Sequence, residues 1–314
     1  MIIASCPLRV SLFGGSTDNP LFVETYGHGS VISFTCSLRT YVTISQDKIG
    51  RNHNHKYIIN YSRREEVSSI DEIDNEVVRV VLQHFDMPPV HVTLTSDAFS
   101  QGSGLASSSS YLISLIKACL IFKGKAMTDV EICRLAYGLE LQFNPYCGYQ
   151  DPFGCGVGGF KKIDFYGINK ITYEFLSTEL FYEFDTHLIF TGITRNSKTI
   201  LKKVSGNLEK VKPLLKNVDH AYDALSGRDF RGVMNEMNKS WKQKKKTSSS
   251  ITENPVIQEM DKELSQNKTV LSHKLCGAGN GGFFLTFSKQ GTLNVPYDCV
   301  SIDVTASGVY GKSV

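Results

Sequence analysis

The run 102–110, Gly-Ser-Gly-Leu-Ala-Ser-Ser-Ser-Ser, joins a predicted strand at 90–94 to an apolar helix that includes Tyr111. Glycines allow backbone N–H groups to approach an anion closely, and the start of a helix adds positive dipole charge. A loop of this kind suits a polyphosphate. It contains no Gly-Lys-Ser/Thr triplet, so a P-loop fold is disfavoured. The alternative is a flexible Gly/Ser linker, although linkers do not usually abut a long amphipathic helix.

The length of 314 residues favours two domains, because a domain commonly holds about 150 residues. A first strand–helix cycle is complete near residue 184, so we expect one domain at 1–184 and a second at 185–314. The hydrophobic pattern indicates mixed α and β structure. Strands are predicted at 2–13, 30–46, 56–61, 90–94, 159–175, 186–191, 270–276, 282–287 and 298–305, and helices at 69–85, 111–122, 128–143, 197–225, 228–243 and 254–266.

The composition disfavours several classes of protein. Thirty-four Lys and Arg against thirty-one Asp and Glu leave a net charge of +3, too small for an electrostatic nucleic-acid footprint. The longest apolar stretch, 111–122, contains Lys117 and is too short to span a bilayer, and no secretory signal is visible. The eight Cys form no CxxC pair, so we expect reduced, mostly buried thiols rather than zinc sites. A cytoplasmic protein without membrane or nucleic-acid partners is the expectation.

A second Gly-rich run, 277–282, matches the pattern G-x-G-x-x-G. The residues that follow it, 283–287, predict a strand, whereas a dinucleotide-binding fingerprint requires a helix there. A hairpin that presses its backbone against a ligand fits this context better. A tight turn without a ligand is the alternative.

Two carboxylates accompany a third segment, 148–154, which is predicted as a loop rich in Gly and aromatic residues. Glu140 lies in the preceding predicted helix, and Asp151 lies in the loop itself. Such a pair could supply a general base and a ligand for Mg²⁺, which prefers oxygen and takes only one or two protein ligands beside phosphates. A turn-forming role for Asp151 is the alternative.

These segments, taken with Pro7–Asp18, resemble the motifs of one superfamily. Pro7–Asp18 resembles motif 1 of the GHMP kinases, 102–110 resembles motif 2, and 277–282 resembles motif 3. The three occur in the family's order and span nearly the whole chain. The resemblance implies an α+β fold with an N-terminal domain like ribosomal S5 domain 2, a C-terminal ferredoxin-like domain, and an active site between them.

The resemblance also implies an ATP-dependent sugar kinase that uses Mg²⁺. The ATP phosphates would be bound by Gly102, Ser103, Gly104, Leu105, Ala106, Ser107, Ser108 and Ser109. Ser108 and Glu140 would hold Mg²⁺. Asp151 would accept the proton of the acceptor hydroxyl, and Arg9 would keep Asp151 ionised and stabilise the transferred phosphoryl group. An interdomain salt bridge is the alternative for Arg9.

The sugar would be bound by residues from both halves of the chain. By the same resemblance these are Gly15, Thr17, Asp18, Thr191, Arg195, Lys244, Lys245, Gly277, Gly279 and Gly281. Asp18 would accept hydrogen bonds from sugar hydroxyls, and Arg195 would pair with a sugar phosphate through its guanidinium. The alternatives are an Asx turn for Asp18 and a solvated helix end for the basic run 242–246.

Several segments narrow the resemblance to the bacterial D-glycero-D-manno-heptose 7-phosphate kinases. They are 7–18, 149–151, 191–197, 241–245 and 274–279. The substrate would then be a heptose phosphate, phosphorylated on its anomeric hydroxyl on the route to GDP-heptose for surface polysaccharide. The chain departs from the usual motifs at three positions where Gly is common, Ser16, Ala106 and Asn280.

Two other functions stay open at this point. A kinase of the same fold could act on an unphosphorylated sugar, such as fucose, galactose or a uronic acid. A nucleotide or sugar sensor without turnover is the second, although Ser108, Glu140 and Asp151 are all present. An RNA-binding module is disfavoured by the near-neutral charge. Either a monomer or a homodimer is compatible with the sequence.

Overall fold

The computed structural model describes residues 1–47, 56–98, 102–194, 200–202 and 206–314. The strands are β1 (Ile2–Phe13), β2 (Gly29–Ser45), β3 (Tyr57–Asn60), β4 (Arg64–Val67), β5 (His91–Ser96), β6 (Phe160–Phe165), β7 (Ile171–Phe175), β8 (Phe184–Phe190), β9 (Val270–Leu275), β10 (Phe283–Lys289), β11 (Cys299–Ser301) and β12 (Tyr310–Ser313). The helices are α1 (Pro20–Tyr26), α2 (Glu76–His84), α3 (Ser107–Phe122), α4 (Asp129–Glu140), α5 (Gln150–Gly156), α6 (Glu179–Glu183), α7 (Leu208–Ser226), α8 (Phe230–Thr247) and α9 (Pro255–Gln266).

The two longest strands form the centre of the larger sheet. β1 and β2 pair antiparallel, with Ile2 opposite Ile44, and every residue of β1 except Ile3 is buried. A strand buried on both faces needs cover from both sides, which explains its nearly continuous apolar run. The strand order is β12-β1-β2-β5-β3-β4, and β6 adds to β2 and carries β7.

The smaller sheet has the order β11-β8-β10-β9, and all its pairs are antiparallel. β9 and β10 form the hairpin that the sequence predicts, with Leu275 opposite Phe284. Helices α7, α8 and α9 pack on this sheet through a buried cluster that includes Leu214, Trp241 and Met260. Trp241 is therefore a core residue.

One apolar cluster joins the two sheets. Leu8 on β1 and Phe34 on β2 are buried together with Leu188 on β8 and Leu285 on β10. Burial of apolar surface contributes about 25 cal/mol per Å², so a shared core of this kind holds the sheets in a fixed relation. Any cleft between them is bounded by rigid elements.

The segment around Asp151, predicted as a loop, contains the short helix α5. Its first backbone N–H, on Gln150, donates to Asp18 Oδ2 over 3.1 Å. Locally, Gly and Pro within the segment disfavour a helix. A carboxylate more than a hundred residues earlier in the chain supplies the cap, which is why local sequence does not predict this helix.

Other elements also differ from the sequence pattern. The predicted helix 69–85 begins as a 3-10 turn at Ile70–Glu72 and becomes α2 only at Glu76. The helix predicted to reach Phe143 ends at Glu140, although its capping box at Thr128 is confirmed. The pattern does not predict α1, α6, β4 or β12.

The last strand, β12, returns to the larger sheet, where Tyr310 lies opposite Ser5 of β1. The final strand of the expected domain 185–314 thus pairs with the first strand of 1–184. The division at residue 184 stays a prediction.

The state of the cysteines agrees with the prediction of reduced, mostly buried thiols. All eight Cys are free thiols, and only Cys299 is exposed. Within the described ranges, none of the helices has the length and apolar character needed to cross a membrane.

Candidate active site

A cavity of about 200 Å³ opens where the two sheets meet. Its wall comes from β1, the turn before α3, the connection between α4 and α5, α8, and the β9–β10 hairpin. Five charged residues of the predicted site line it together: Arg9, Asp18, Glu140, Asp151 and Lys244. Residues from distant parts of the chain therefore meet in one cleft.

The Gly/Ser run folds as a turn that leads into α3. Gly102, Gly104 and Ala106 have φ angles of +68°, +80° and +60°. Ala106 is the N-cap of α3, and its side chain makes no capping hydrogen bond. The first N–H groups of a helix have no acceptor within the helix. Ser107 and Ser108 place the start of α3 in the cavity wall. Since no side chain caps these N–H groups, they are available to an anion.

The hairpin between β9 and β10 lies directly against this turn. A Cβ atom on Gly282 would lie 2.3 Å from the carbonyl oxygen of Ser103. The backbone N–H of Phe283 donates to the same oxygen over 3.3 Å. Glycine at 282 thus allows two Gly-rich segments from opposite ends of the chain to touch.

The glycines predicted in the hairpin have different surroundings. Gly277 lines the cavity. Gly279 packs on Ile251, because a Cβ atom there would lie 2.8 Å from Ile251 Cγ2. Neither Gly279 nor Gly281 belongs to the cavity wall that the described residues form.

The three positions where this chain lacks the usual motif glycine keep a positive φ. The φ angles are +83° at Ser16, +60° at Ala106 and +56° at Asn280. A non-glycine residue in the left-handed region costs roughly 1–2 kcal/mol. The backbone shape of the motifs is thus retained despite this strain.

Arg9, which is buried, pairs with the partly exposed Asp151 beside the cavity. Arg9 Nη2 and Nε donate to Asp151 Oδ1 over 2.6 and 3.2 Å, and Nη1 donates to the Gly104 carbonyl over 2.8 Å. The Arg9 stem packs on Gly154, where a Cβ atom would lie 3.1 Å from Arg9 Cγ. Among the described residues, none donates to Asp151 Oδ2. This oxygen is left to accept a proton from a bound molecule.

Asp18 is a buried carboxylate that holds the start of α5. Its Oδ1 accepts from Ser16 N over 3.0 Å and from Gln150 Nε2 over 2.8 Å, and its Oδ2 accepts from Gln150 N over 3.1 Å. A Cβ atom on Gly148 would lie 1.9 Å from Asp18 Oδ2, so this approach needs glycine. Burial and the nearby charge of Asp151 raise the pKa of Asp18 to about 6, although three N–H donors oppose the shift.

Glu140, the last residue of α4, is buried next to the start of α3. Its Oε2 accepts from Ser109 Oγ over 2.5 Å, so the next serine along α3 after Ser108 contacts this carboxylate directly. Burial, and then repulsion from Asp151, raise the pKa of Glu140 to about 7. Ser108 lies in the cavity wall, as does Asn144, whose buried Oδ1 has no hydrogen-bond partner among the described residues.

These oxygen atoms fit a magnesium ion. The carboxylate of Glu140, the hydroxyl of Ser108 and the unpartnered Oδ1 of Asn144 are the hard ligands that Mg²⁺ prefers. Across the described residues, no group of three or more His, Cys, Asp and Glu side chains could hold a metal.

The two predicted lysines point to different places. Lys244 lines the cavity, and its Nζ donates to the Gly277 carbonyl. Lys245 Nζ donates instead to Asp261 Oδ2 over 2.5 Å. Asp261 Oδ1 also accepts from Trp241 Nε1 over 2.5 Å and contacts His273 Nε2 at 2.9 Å. Lys245 therefore belongs to a polar network behind the hairpin, and the structure does not bring it to the cavity.

Two predicted threonines support the backbone near the site. Thr191 Oγ1 donates to the Gly282 carbonyl over 2.8 Å. Thr17 Oγ1 donates to the Gly14 and Ser30 carbonyls over 2.8 and 2.7 Å. Neither belongs to the described cavity wall. Arg195 lies outside the described residues.

Gly15 marks a polar corner of the cavity. A Cβ atom there would lie 3.7 Å from Ser11 Oγ, 3.9 Å from Gln150 Nε2 and 3.9 Å from Lys244 Nζ. Ser11 Oγ and Gln150 Oε1 are buried and have no hydrogen-bond partner among the described residues. Three polar groups thus converge on space that glycine leaves open.

Sequence reasoning missed Ser11, Asn144, Gln150 and Lys274, all of which line the cavity. A weak signal exists for Lys274, a charged residue in a strand whose neighbours are apolar. Ser11 stands in the apolar run of β1 and carries a similar signal. Asn144 and Gln150 lie in irregular segments, where a polar side chain is common and carries no signal.

The fold as a whole is that of solved small-molecule kinases. It superposes with a TM-score of 0.73 on the crystal structure of a D-glycero-D-manno-heptose 1-phosphate kinase from Bacteriodes thetaiotaomicron. The match covers 100% of this chain and 99% of that chain, at 18% identity. The match shows an α+β fold that this chain shares with kinases of known structure.

Residues 73–159 match the protein-family model described as the GHMP kinases N terminal domain. This segment therefore matches the N-terminal domain of the GHMP kinases, and the chain is similar to ATP-dependent sugar kinases, which are transferases. The predicted family, fold class and type of enzyme are confirmed.

Two curated relatives are similar over most of this chain. A D-glycero-alpha-D-manno-heptose 7-phosphate kinase from Campylobacter jejuni is 28% identical over 301 residues, which cover 90% of this chain and 87% of the relative. An L-fucokinase/L-fucose-1-P guanylyltransferase from Bacteroides fragilis is 27% identical over 333 residues, which cover 90% of this chain and 34% of the relative. The second relative is therefore much longer than the matched region.

Proposed function

We propose that the enzyme transfers the γ-phosphoryl group of ATP to the anomeric hydroxyl of D-glycero-D-manno-heptose 7-phosphate. The product would be the 1,7-bisphosphate, used for GDP-heptose and surface polysaccharide. The observation that carries the proposal is the Arg9–Asp151 pair, which lines a cavity between an uncapped helix start and a glycine hairpin. We also propose that the enzyme is cytoplasmic and acts as a monomer or a homodimer.

The ATP phosphates would bind at the start of α3 and in the Gly/Ser turn. Backbone N–H groups there would donate to the phosphate oxygens, because neither a side-chain cap nor a lysine occupies this position. Ser108, Glu140 and Asn144 would hold Mg²⁺, which neutralises charge on the phosphates when it is bound. In this proposal residues 1–184 form the domain that binds ATP.

Asp151 would accept the proton of the attacking hydroxyl at Oδ2. The Arg9 guanidinium donates to Oδ1, so Oδ2 is the oxygen that faces the attacking hydroxyl in this proposal. The same guanidinium would stabilise negative charge on the transferred phosphoryl group. The two residues would thus serve as base and electrostatic stabiliser.

Asp18 and the polar corner at Gly15 would bind the sugar. An ionised carboxylate has about four acceptor sites, and the described contacts of Asp18 use three of them. One site is left for a sugar hydroxyl. Lys244 lines the cavity, and its charge suits an acceptor that carries its own phosphate. In this proposal a domain at 185–314 contributes both Lys244 and the hairpin.

An unphosphorylated sugar is the second candidate acceptor. It is favoured by the similarity to the L-fucokinase relative over 90% of this chain. Such a sugar would not need a cation at Lys244. The two candidates therefore differ in the effect of removing that charge.

The test is ADP release from Mg-ATP with D-glycero-D-manno-heptose 7-phosphate, mannose, fucose, galactose and galacturonate. We expect turnover on the heptose phosphate, with loss of turnover in Asp151→Ala at unchanged ATP affinity. Turnover only on an unphosphorylated sugar would replace the heptose phosphate by the second candidate. Absence of turnover on all five would contradict the proposed substrate.

A further inference from the structure

Lys274 is a buried cation in the cavity wall without a carboxylate partner. It lies on β9 of the smaller sheet, its side chain is buried, and its Nζ donates to the Leu12 carbonyl of β1 over 2.7 Å. Among the described residues, no Asp or Glu pairs with it. A buried charge without an opposite charge is costly unless something else compensates it.

The surroundings of Lys274 add positive rather than negative charge. Burial, and to a smaller extent Arg9 in the same cavity wall, lower the pKa of Lys274 to about 8, although Cys276 opposes the shift. Ser11, the residue before Leu12, lines this cavity with a buried Oγ that has no described hydrogen-bond partner. Lys274 and the unused hydroxyl of Ser11 thus line the cavity, and none of the carboxylates in its wall pairs with Lys274 in the described contacts.

Another buried lysine in the same chain shows what internal compensation looks like. Lys161 on β6 donates to the carbonyls of Gly154, Gly158 and Gly159 over 3.0, 2.6 and 3.3 Å. An ammonium has three N–H donors, so these contacts satisfy all of them. Lys161 does not line the cavity. Lys274 uses one donor on Leu12 and has two left.

We propose that Lys274 binds a phosphate group in the cleft, with Ser11 as its neighbour in the same subsite. The inference rests on the proposed function for its setting, and it gives a substrate-binding role to a residue for which the sequence analysis proposes none. A phosphate oxygen accepts two or more hydrogen bonds and supplies the missing negative charge. Two sources share this chemistry: the transferred γ-phosphoryl group and a phosphate carried by the acceptor.

Direct binding tests the subsite without any need for turnover. Inorganic phosphate is titrated at constant ionic strength, and its affinity is measured by calorimetry for wild type, Lys274→Met and Lys274→Gln. Methionine keeps the apolar stem, and glutamine keeps a neutral donor for the Leu12 carbonyl. Because the two variants preserve different contacts of Lys274, the test does not depend on the folding of a single variant. We expect affinity to fall about tenfold or more, the usual effect of one charge-assisted hydrogen bond.

Lys161→Met is the matched control, because it removes a buried lysine that lies outside the cavity. Its phosphate affinity should equal that of wild type, whatever happens to its unfolding temperature. If the Lys274 variants bind phosphate as wild type does and only their unfolding temperature changes, Lys274 is a structural link between the sheets and the proposal is wrong.

Steady-state kinetics then identify the source of the phosphate. A rise in KM for a phosphorylated acceptor at unchanged kcat assigns the acceptor's own phosphate to Lys274. A fall in kcat at unchanged KM assigns the transferred group. Either result supports the subsite. If wild type phosphorylates none of the sugars yet binds phosphate through Lys274, the proposed substrate fails while the subsite stands.

Discussion

Glu140 in the cleft and Asp261 behind the hairpin are both buried carboxylates, yet their pKa values move in opposite directions. Burial and repulsion from Asp151 raise the pKa of Glu140 to about 7. Burial also acts on Asp261, but hydrogen bonds from His273, Lys245 and Trp241 outweigh it and lower the pKa to about 2.

The difference separates ligand binding from structure. Asp261 has all its compensation within the protein, so it stabilises the fold and has little need of a ligand. Glu140 and Asp18 are compensated only in part, and both pKa values are raised. A buried carboxylate that the fold leaves short of positive charge is a candidate site for a cation or a hydrogen-bond donor from outside.

The largest effect is expected from Asp151→Asn, which removes the proposed base and keeps its shape. Turnover should fall by about 10²–10⁴-fold, the usual contribution of a general base. ADP release measures turnover, and an ATP titration should show unchanged affinity. The matched change Asp261→Asn should leave the turnover of the folded enzyme unaltered. Turnover of Asp151→Asn within about threefold of wild type would show that the base lies elsewhere.

Asp261→Asn should have the larger effect on stability. The change leaves Lys245 and His273 without their carboxylate partner, and breaking such a buried pair typically costs about 3 kcal/mol. Urea unfolding at pH 7 measures the free energy of unfolding. A loss below about 1 kcal/mol would mean that the network is no stronger than a surface ion pair.

The same network predicts a dependence of stability on pH. The pKa of Asp261 is lowered from 3.8 to about 2, so its contribution is complete above pH 4 and disappears as the pH falls towards 2. Nearly two pKa units correspond to about 2.5 kcal/mol. The pH dependence due to Asp18 has the opposite sign. Because the pKa of Asp18 is raised, its contribution to the free energy of unfolding falls as the pH rises from 4 through 6.

Urea unfolding between pH 7 and pH 3 checks both signs. The acid loss due to Asp261 should be absent from Asp261→Asn, and the loss above pH 4 due to Asp18 should be absent from Asp18→Asn. Identical pH profiles for wild type and both variants would contradict the pKa assignments.

The smallest effects are expected from the neighbouring lysines. Lys244→Met should raise KM for a phosphorylated acceptor by about tenfold, because it removes a cation from the cavity wall. Lys245→Met should leave KM unchanged and cost about 1 kcal/mol of stability, because its partner is Asp261 at a partly exposed position. ADP release and urea unfolding on both variants provide the comparison. A KM effect from Lys245→Met would return this residue to the acceptor site.

Much of the fold could be predicted from the sequence, because most elements depend on neighbours in the chain. The capping box at Thr128 and the hairpin around 277–282 are local features, and both are confirmed. Helix α5 could not be predicted, because Asp18 caps it across the fold. Strand β12 could not be predicted either, since its pairing partner is the first strand of the chain.

The candidate site divides in the same way. Motif order placed Arg9 and Asp151 in one site, and the structure brings them into contact. Lys274 has no such motif role, because its significance depends on Leu12 and on the absence of a carboxylate partner among the described residues. Whether a buried charge has a partner depends on residues far away in the chain, and a local sequence pattern does not predict them.

Residue type and spacing along the chain were sufficient to predict the family, most of the strands, the Gly/Ser turn before α3 and the carboxylates of the cleft. They could not show that Ser109 donates to Glu140, or distinguish Lys244 from Lys245 as the cation of the cavity. Consecutive helical residues differ by about 100° in direction, so two identical neighbours face different surroundings. Only the packing of each helix against the rest of the protein determines which of the two faces the cleft.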